Sequence, residues 1–115
     1  MKTIIIDNLE WQLDDDGIKR TWEESIDYAN TLGDGWRLPT IEELVSIIDF
    51  TTYMPACKID SCLSSCYWSS SPSAYNSSDA WYVNFGGGGV SYYSKDYDDY
   101  ARCVRELKVA LEGGK

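Results

Sequence analysis

Apolar positions change period along this chain, and the changes mark its elements. Ile4 to Ile6 form a short apolar run that predicts a first strand. Leu9-Glu10-Trp11-Gln12-Leu13 alternates with period two, the pattern of a half-buried strand, and Asp14-Asp15-Asp16-Gly17 predicts the turn after it. From Thr21 the period lengthens. Thr21-Trp22-Glu23-Glu24 has the form of a capping box, in which the Thr21 hydroxyl accepts from a first-turn amide and Glu24 reaches back. Trp22, Ile26 and Ala29 then share one helical face, and Gly33 and Gly35 stop the helix. Thr40-Ile41-Glu42-Glu43 repeats the device, with Ile41, Leu44, Val45 and Ile48 as the buried stripe and a predicted end at Asp49 or Phe50.

Residues 57–66 read as a loop holding three of the four cysteines. Period two returns in Trp81-Tyr82-Val83-Asn84-Phe85, which predicts Trp81, Val83 and Phe85 toward the core and Tyr82 and Asn84 outward. Gly86 to Gly89 supplies a turn, Val90 to Tyr93 the returning strand, and Ala101 to Leu107 a last strand. These elements, two helices and several short strands, predict an α+β fold as one domain over residues 1–108 with a short tail from Val109 to Lys115.

Composition then narrows the partners. The chain has 115 residues and a formal net charge of −9, so it repels phosphate backbones and nucleic acid is not an expected partner. No run reaches the ~18 apolar residues of a membrane span, so membrane insertion is not expected. Met1 to Asp7 is too briefly apolar for a signal peptide. The expectation is a monomer made in the cytoplasm, reaching a surface only by another route. Histidine is absent, which removes Ser-His-Asp and Cys-His catalysis.

One stretch departs from ordinary composition. Of the 32 residues from Ser69 to Tyr100, 26 are Ser, Tyr, Gly, Asp, Asn or Ala, and none is Leu, Ile, Met, Glu or Gln. Packing alone does not select such a set, yet Trp68, Trp81, Val83, Phe85 and Val90 recur through it as apolar anchors. Tyr, Ser, Gly, Asn and Asp are the residues of antibody-type paratopes: Tyr offers contact area with few rotors to freeze, and the small polar residues offer adaptable hydrogen bonds. The same composition would also serve a surface loop with no ligand.

Other chemistry fits less well. Asp14, Asp16, Gly17 and Glu23 approach a calcium-loop spacing, but Gln12 stands where the first carboxylate belongs and no helix precedes it. Cys57, Cys62, Cys66 and Cys103 lack the CxxC spacing of zinc sites; one disulfide within Cys57–Cys66 suits them better, with Cys103 a small buried residue. Gly86 to Gly89 precedes neither Lys-Ser/Thr nor a helix and is no phosphate loop. Asp96, Asp98 and Asp99 have no partner base and read as a solvated face. No catalytic residue, metal or cofactor is expected.

Four blocks in order resemble the Lcl C-terminal domain family: Thr21-Trp22-Glu23-Glu24-Ser25-Ile26, Gly35-Trp36-Arg37-Leu38-Pro39-Thr40-Ile41-Glu42-Glu43-Leu44, Tyr67-Trp68-Ser69-Ser70-Ser71 and Arg102-Cys103-Val104-Arg105, across roughly residues 9–106. The resemblance implies a C-type-lectin-like fold, two helices packed on a small twisted antiparallel sheet with paired N- and C-terminal strands. It also implies scaffold roles for Trp11, Trp22, Trp36, Arg37, Leu38, Pro39, Trp68, Trp81 and Cys103, with Arg37 pairing with Glu43. Many relatives carry a first-helix cysteine that pairs with the one in RCVR; here that segment is Tyr28-Ala29-Asn30, and the EPN and WND calcium–sugar motifs of animal lectins are absent. Sulfatase-modifying enzymes share a lectin-like fold, but this chain lacks their length.

A narrower resemblance is to variable proteins of diversity-generating retroelements, whose C-terminal region is rewritten by adenine-mutating reverse transcription. Asn codons of the AAC or AAT kind then yield Tyr, Ser, Asp, Gly, Ala and a few others, never Lys, Glu, Gln, Met or Trp. That resemblance implies a variable region of about 69–100 facing a protein or cell-surface ligand. Its candidate contacts are Ser73, Tyr75, Asn76, Ser78, Asp79, Tyr82, Asn84, Gly86, Gly88, Ser91, Tyr92, Tyr93, Asp96, Tyr97, Asp98 and Asp99. A fixed adhesin-like domain of the same fold is the alternative.

Overall fold

The two capping boxes form as the sequence predicts. In the computed structural model, which describes residues 1–107, strands β1 (Thr3–Ile6) and β2 (Leu9–Gln12) lead into helix α1 (Trp22–Leu32) and then α2 (Ile41–Ser46). Thr21 and Thr40 each accept from the backbone N–H three residues on, and Glu24 and Glu43 each accept from the cap's own N–H. Gly33, at φ 65°, closes α1 with its N–H on the Asn30 carbonyl. Strands β3 (Cys66–Pro72), β4 (Asp79–Asn84), β5 (Gly89–Ser94) and β6 (Val104–Glu106) follow. The predicted tail from Val109 lies outside the described residues.

Two antiparallel three-stranded sheets result, one ordered β1-β2-β6 and the other β3-β4-β5. The segment before β6 joins them: Trp68 N–H donates to Tyr100 O at 3.0 Å and Tyr100 N–H to Cys66 O at 3.1 Å, while Gln12 N–H takes Cys103 O at 3.0 Å. The last strand is shorter than predicted because the Cys103 N–H is taken by the Gln12 side chain at 2.8 Å, so regular pairing starts at Val104. Helix α2 also stops early. Ile47 is its C-cap and is fully buried, whereas Val45 from the predicted stripe is exposed.

The second sheet is covered on both faces. Register pairs Tyr67 with Val83 and Trp68 with Tyr82, so alternation sends Tyr67, Val83 and Phe85 one way and Trp68, Ala80 and Tyr82 the other. The first set joins Trp11, Leu44, Ile47, Ile59 and Val104 in one core. The second joins Ala29, Trp36, Leu38, Ala101 and Cys103, with Trp22, Ile26 and Tyr93 packed against it. This corrects the prediction for β4: Tyr82 helps cover the second core because the sheet separates two cores instead of facing one, and Trp81 is only half-buried, lying against Tyr92 of the edge strand. Strand β5 is the sheet edge, and Gly89, Val90, Ser91 and Tyr92 are all exposed.

Candidate ligand-binding surface

The hairpin of β4 and β5 organises most of the candidate positions. Its register pairs Asp79 with Ser94, Ala80 with Tyr93, Trp81 with Tyr92 and Tyr82 with Ser91. At the end away from its turn, two loops meet: Lys95 N–H donates to Ser78 O at 3.0 Å, and Ser73 N–H to Asp79 O at 2.9 Å. The exposed residues Tyr75, Asn76, Ser78, Asp96, Tyr97 and Asp98 therefore stand on adjoining loops, with half-buried Asp79 between them. Beside them, an open groove of about 410 Å³ is lined by Thr21, Glu23, Ser78, Ser94, Lys95 and Asp96. The Lys95 ammonium lies 4.3 Å from the centre of the Trp22 ring, and Trp22 N–H donates to Lys95 O at 3.1 Å, so the start of α1 holds this wall. Ser91 and Tyr92 extend the exposed set along the edge strand, where Trp81 meets Tyr92 edge-on at 4.8 Å.

Other candidates are committed to the fold. Ser73 is buried and its Oγ accepts from the N–H groups of Tyr75 and Asn76, shaping the loop from within. Asp99 is buried beneath Tyr93, whose hydroxyl donates to its carboxylate. Burial raises the Asp99 carboxyl to about 6 despite that bond and nearby Lys19. Burial and the Asp99 carboxylate likewise push the Tyr93 hydroxyl above its ordinary value. Tyr93 stacks on Tyr82 at 4.1 Å and meets Trp68 edge-on at 5.4 Å, so neither Tyr82 nor Tyr93 is a free surface side chain.

At the turn, Asn84 and Gly86 are held together, Asn84 Oδ1 accepting from Gly86 N–H at 2.8 Å. Gly88 has φ 86°, and a Cβ there would stand 2.8 Å from Phe50 Cε1 and 2.9 Å from Ile48 Cγ2. Glycine is thus required by conformation and by space, and Gly88 offers a ligand no side chain. The retroelement resemblance implies Gly88 as a ligand contact; the Phe50 ring that covers it comes from a loop 38 residues earlier in the chain.

The serines after Trp68, at the start of the expected variable span, are held by the fold. Ser69 is buried: its Oγ accepts from Ser71 N–H and donates to Trp81 O, and its carbonyl accepts from Trp22 Nε1 at 2.9 Å. Ser70 N–H donates to Pro39 O at 2.7 Å, and Ser71 Oγ accepts from Ile41 N–H at 3.0 Å. These short hydroxyls satisfy polar groups where both helices begin against β3, beside the irregularity in its pairing with β4.

The motif residues build the scaffold beneath. Trp11, Trp36, Leu38, Pro39, Trp68 and Cys103 are buried. Arg37 forms the anticipated fork with Glu43 at 2.7 and 2.9 Å, and also reaches Glu106 at 2.7 Å. Those carboxylates hold the Arg37 guanidinium well above its ordinary value, and Arg37 in turn lowers Glu43. Burial pushes the Cys103 thiol up to about 12, and Ala29 of α1 packs in the same core.

Sequence reasoning missed the polar centre. Asp15, read as one of three turn aspartates, accepts from Arg102 Nη2 at 2.8 Å and from the Tyr67 hydroxyl at 2.5 Å. Arg102 is 1% exposed and also donates from Nη1 to Gln12 O and Leu13 O. The signal available was an arginine inside an apolar strand pattern, which demands a buried partner; which of the three neighbouring aspartates supplied it was set by the turn geometry.

The fold and surface together define a small α+β domain with two capped helices, two three-stranded sheets and a Tyr/Ser/Asp-rich edge. The Lcl C-terminal domain model matches residues 5–105, and the chain belongs to that family. No curated protein matches the chain. No helix among the described residues is long and apolar enough to cross a membrane.

Proposed function

We propose that this domain has a C-type-lectin-like fold and serves as a diversified ligand-binding protein of a diversity-generating retroelement, presenting its β5 edge and the adjoining loops to a protein or cell-surface ligand. One observation carries the reading. Apart from Val90, the side chains exposed between Tyr75 and Asp98 are all Tyr, Ser, Asn or Asp, types reachable from an adenine-mutated Asn codon, while the interleaved Val83 and Phe85 are fully buried in the core. The pairing of C-terminal β6 with N-terminal β2, which in turn pairs with β1, supports the lectin-like reading. Under this reading, Ser73, Gly88 and Asp99 are maintained positions, and Tyr75, Asn76, Ser78, Ser91, Tyr92, Asp96, Tyr97 and Asp98 are the diversified ones. The decisive experiment is genomic sequencing around the gene. The proposal expects a nearby reverse transcriptase and a near-copy of this stretch differing only where the copy has adenine; absence of both ends it.

A fixed adhesin-like domain is the second reading. It is favoured by the internal bonds that shape the loops, such as Asn76 Oδ1 accepting from Ser78 N–H at 2.9 Å. Sequencing the gene in closely related strains separates the two: identical exposed residues support the fixed surface.

A further inference from the structure

Among the four cysteines, two stand apart from the others. The Sγ atoms of Cys57 and Cys62 lie 2.7 Å apart in the first core, beside Ile47, Ile48 and Ile59. Their loop turns tightly between them: Ile59 N–H donates to Cys57 Sγ at 3.4 Å and Cys62 N–H to Ile59 O at 3.0 Å. Cys66 instead begins β3 near the Tyr93 hydroxyl, and Cys103 lies in the second core. A disulfide bond is about 2.05 Å long, so joining Cys57 to Cys62 takes less than an ångström of movement. We propose that Cys57 and Cys62 form a redox-controlled disulfide that clamps the loop under the hairpin, while Cys66 and Cys103 remain thiols.

The surroundings assign the order of events. The contact with Cys62, the Ile59 N–H and nearby Arg102 hold the Cys57 thiol below its ordinary value; the contact with Cys57, with burial, pushes Cys62 up. The Ile59 N–H donates to Cys57 Sγ, a bond that favours the thiolate there, and this geometry makes Cys57 the attacking sulfur. It attacks one sulfur of a disulfide-class oxidant, such as oxidised glutathione, and one glutathione thiolate leaves. Cys62 gives its proton to that thiolate and attacks the Cys57 sulfur, and the second glutathione leaves as a thiolate that takes up the proton lost by Cys57. Two protein thiols are oxidised and one glutathione disulfide is reduced to two thiols. Asp60, Ser61 and Leu63 in the same loop are exposed, so the path to the pair runs through the loop itself.

The clamp acts on the support of the hairpin turn. Lys58 N–H donates to Ile47 O at 2.8 Å, Ala56 N–H to Phe85 O at 2.7 Å, and Arg102 Nη2 to Ser61 O at 3.4 Å. Closing so short a loop raises the melting temperature by roughly 5–10 °C.

The test equilibrates the reduced full chain in glutathione buffers of stepped ratio, followed by denaturing alkylation, intact mass and peptide mapping. Under oxidising ratios the proposal expects two alkylated thiols, mapped to Cys66 and Cys103, and a higher melting temperature. Cys66→Ser is expected to keep the bridge, and Cys57→Ser and Cys62→Ser each to leave three alkylatable thiols. Four alkylated thiols at every ratio, a bridge through Cys66 or Cys103, or persistent mixed glutathione adducts would overturn it.

Discussion

Tyr93 and Tyr97 sit four residues apart in a stretch of uniform composition, and truncating each to alanine separates core from surface. Tyr93 is half-buried and its hydroxyl is the donor to buried Asp99. Removing a fully buried aromatic side chain costs about 3–5 kcal/mol, and partial exposure brings that to roughly 2. The lost contacts with Trp68 and Tyr82, and a buried carboxylate left without its donor, add about 1–2 kcal/mol. The total for Tyr93→Ala is about 3–4 kcal/mol, a fall in melting temperature of roughly 12–20 °C for a domain of this size. Tyr97 is 58% exposed and touches Tyr93 only edge-on at 4.9 Å, so Tyr97→Ala is expected to cost under about 1 kcal/mol. Urea unfolding of both variants, with Tyr93→Phe as the intermediate that removes only the hydroxyl, is the assay. A Tyr93→Ala midpoint indistinguishable from wild type would refute the assignment of Tyr93 to the core and return it to the ligand-contact set.

Breaking the buried pair with Asp15→Ala leaves the Arg102 guanidinium uncompensated and is expected to cost about 3–5 kcal/mol by chemical denaturation, with Asp15→Ala/Arg102→Met less destabilised than the sum of the singles. Asp99, raised from 3.8 to about 6, contributes stability that is full below 3.8 and is lost as pH rises through about 6. Glu43, lowered from 4.5, acts oppositely, and its contribution is lost only as pH falls below that value. On acidification from above pH 6 down to pH 4.5, inside the Asp99 window and above that of Glu43, urea midpoints of wild type should rise relative to Asp99→Asn, and parallel curves would show that Asp99 does not titrate upward. Gly88→Ala is expected to cost about 1–3 kcal/mol through strain at positive φ and collision with Phe50, whereas Gly87→Ala, with open space around its Cβ, is expected to be near neutral in thermal unfolding.

Local patterns were enough for the helices, the hairpin and the scaffold motif. Both capping boxes act within four residues, so Thr21 and Thr40 carry their own start signals whatever packs around them. The Arg37–Glu43 fork was also legible, because it spans one short turn into α2. The Tyr/Ser/Gly/Asp bias between Ser69 and Tyr100 needs no coordinates to be seen. Composition, however, assigns one character to the whole stretch, and tertiary contacts divide it. Ser69 and Ser73 turn inward to satisfy backbone groups, Tyr82 and Tyr93 cover a second core, Gly88 yields to Phe50, and Asp99 is buried, while Tyr75, Tyr92 and Tyr97 remain exposed. Period two tells which residues share a face of a strand but not whether that face meets solvent or a second layer. Only the packing of α1 against the far side of the second sheet decided that, and with it which of these tyrosines remain available to a partner.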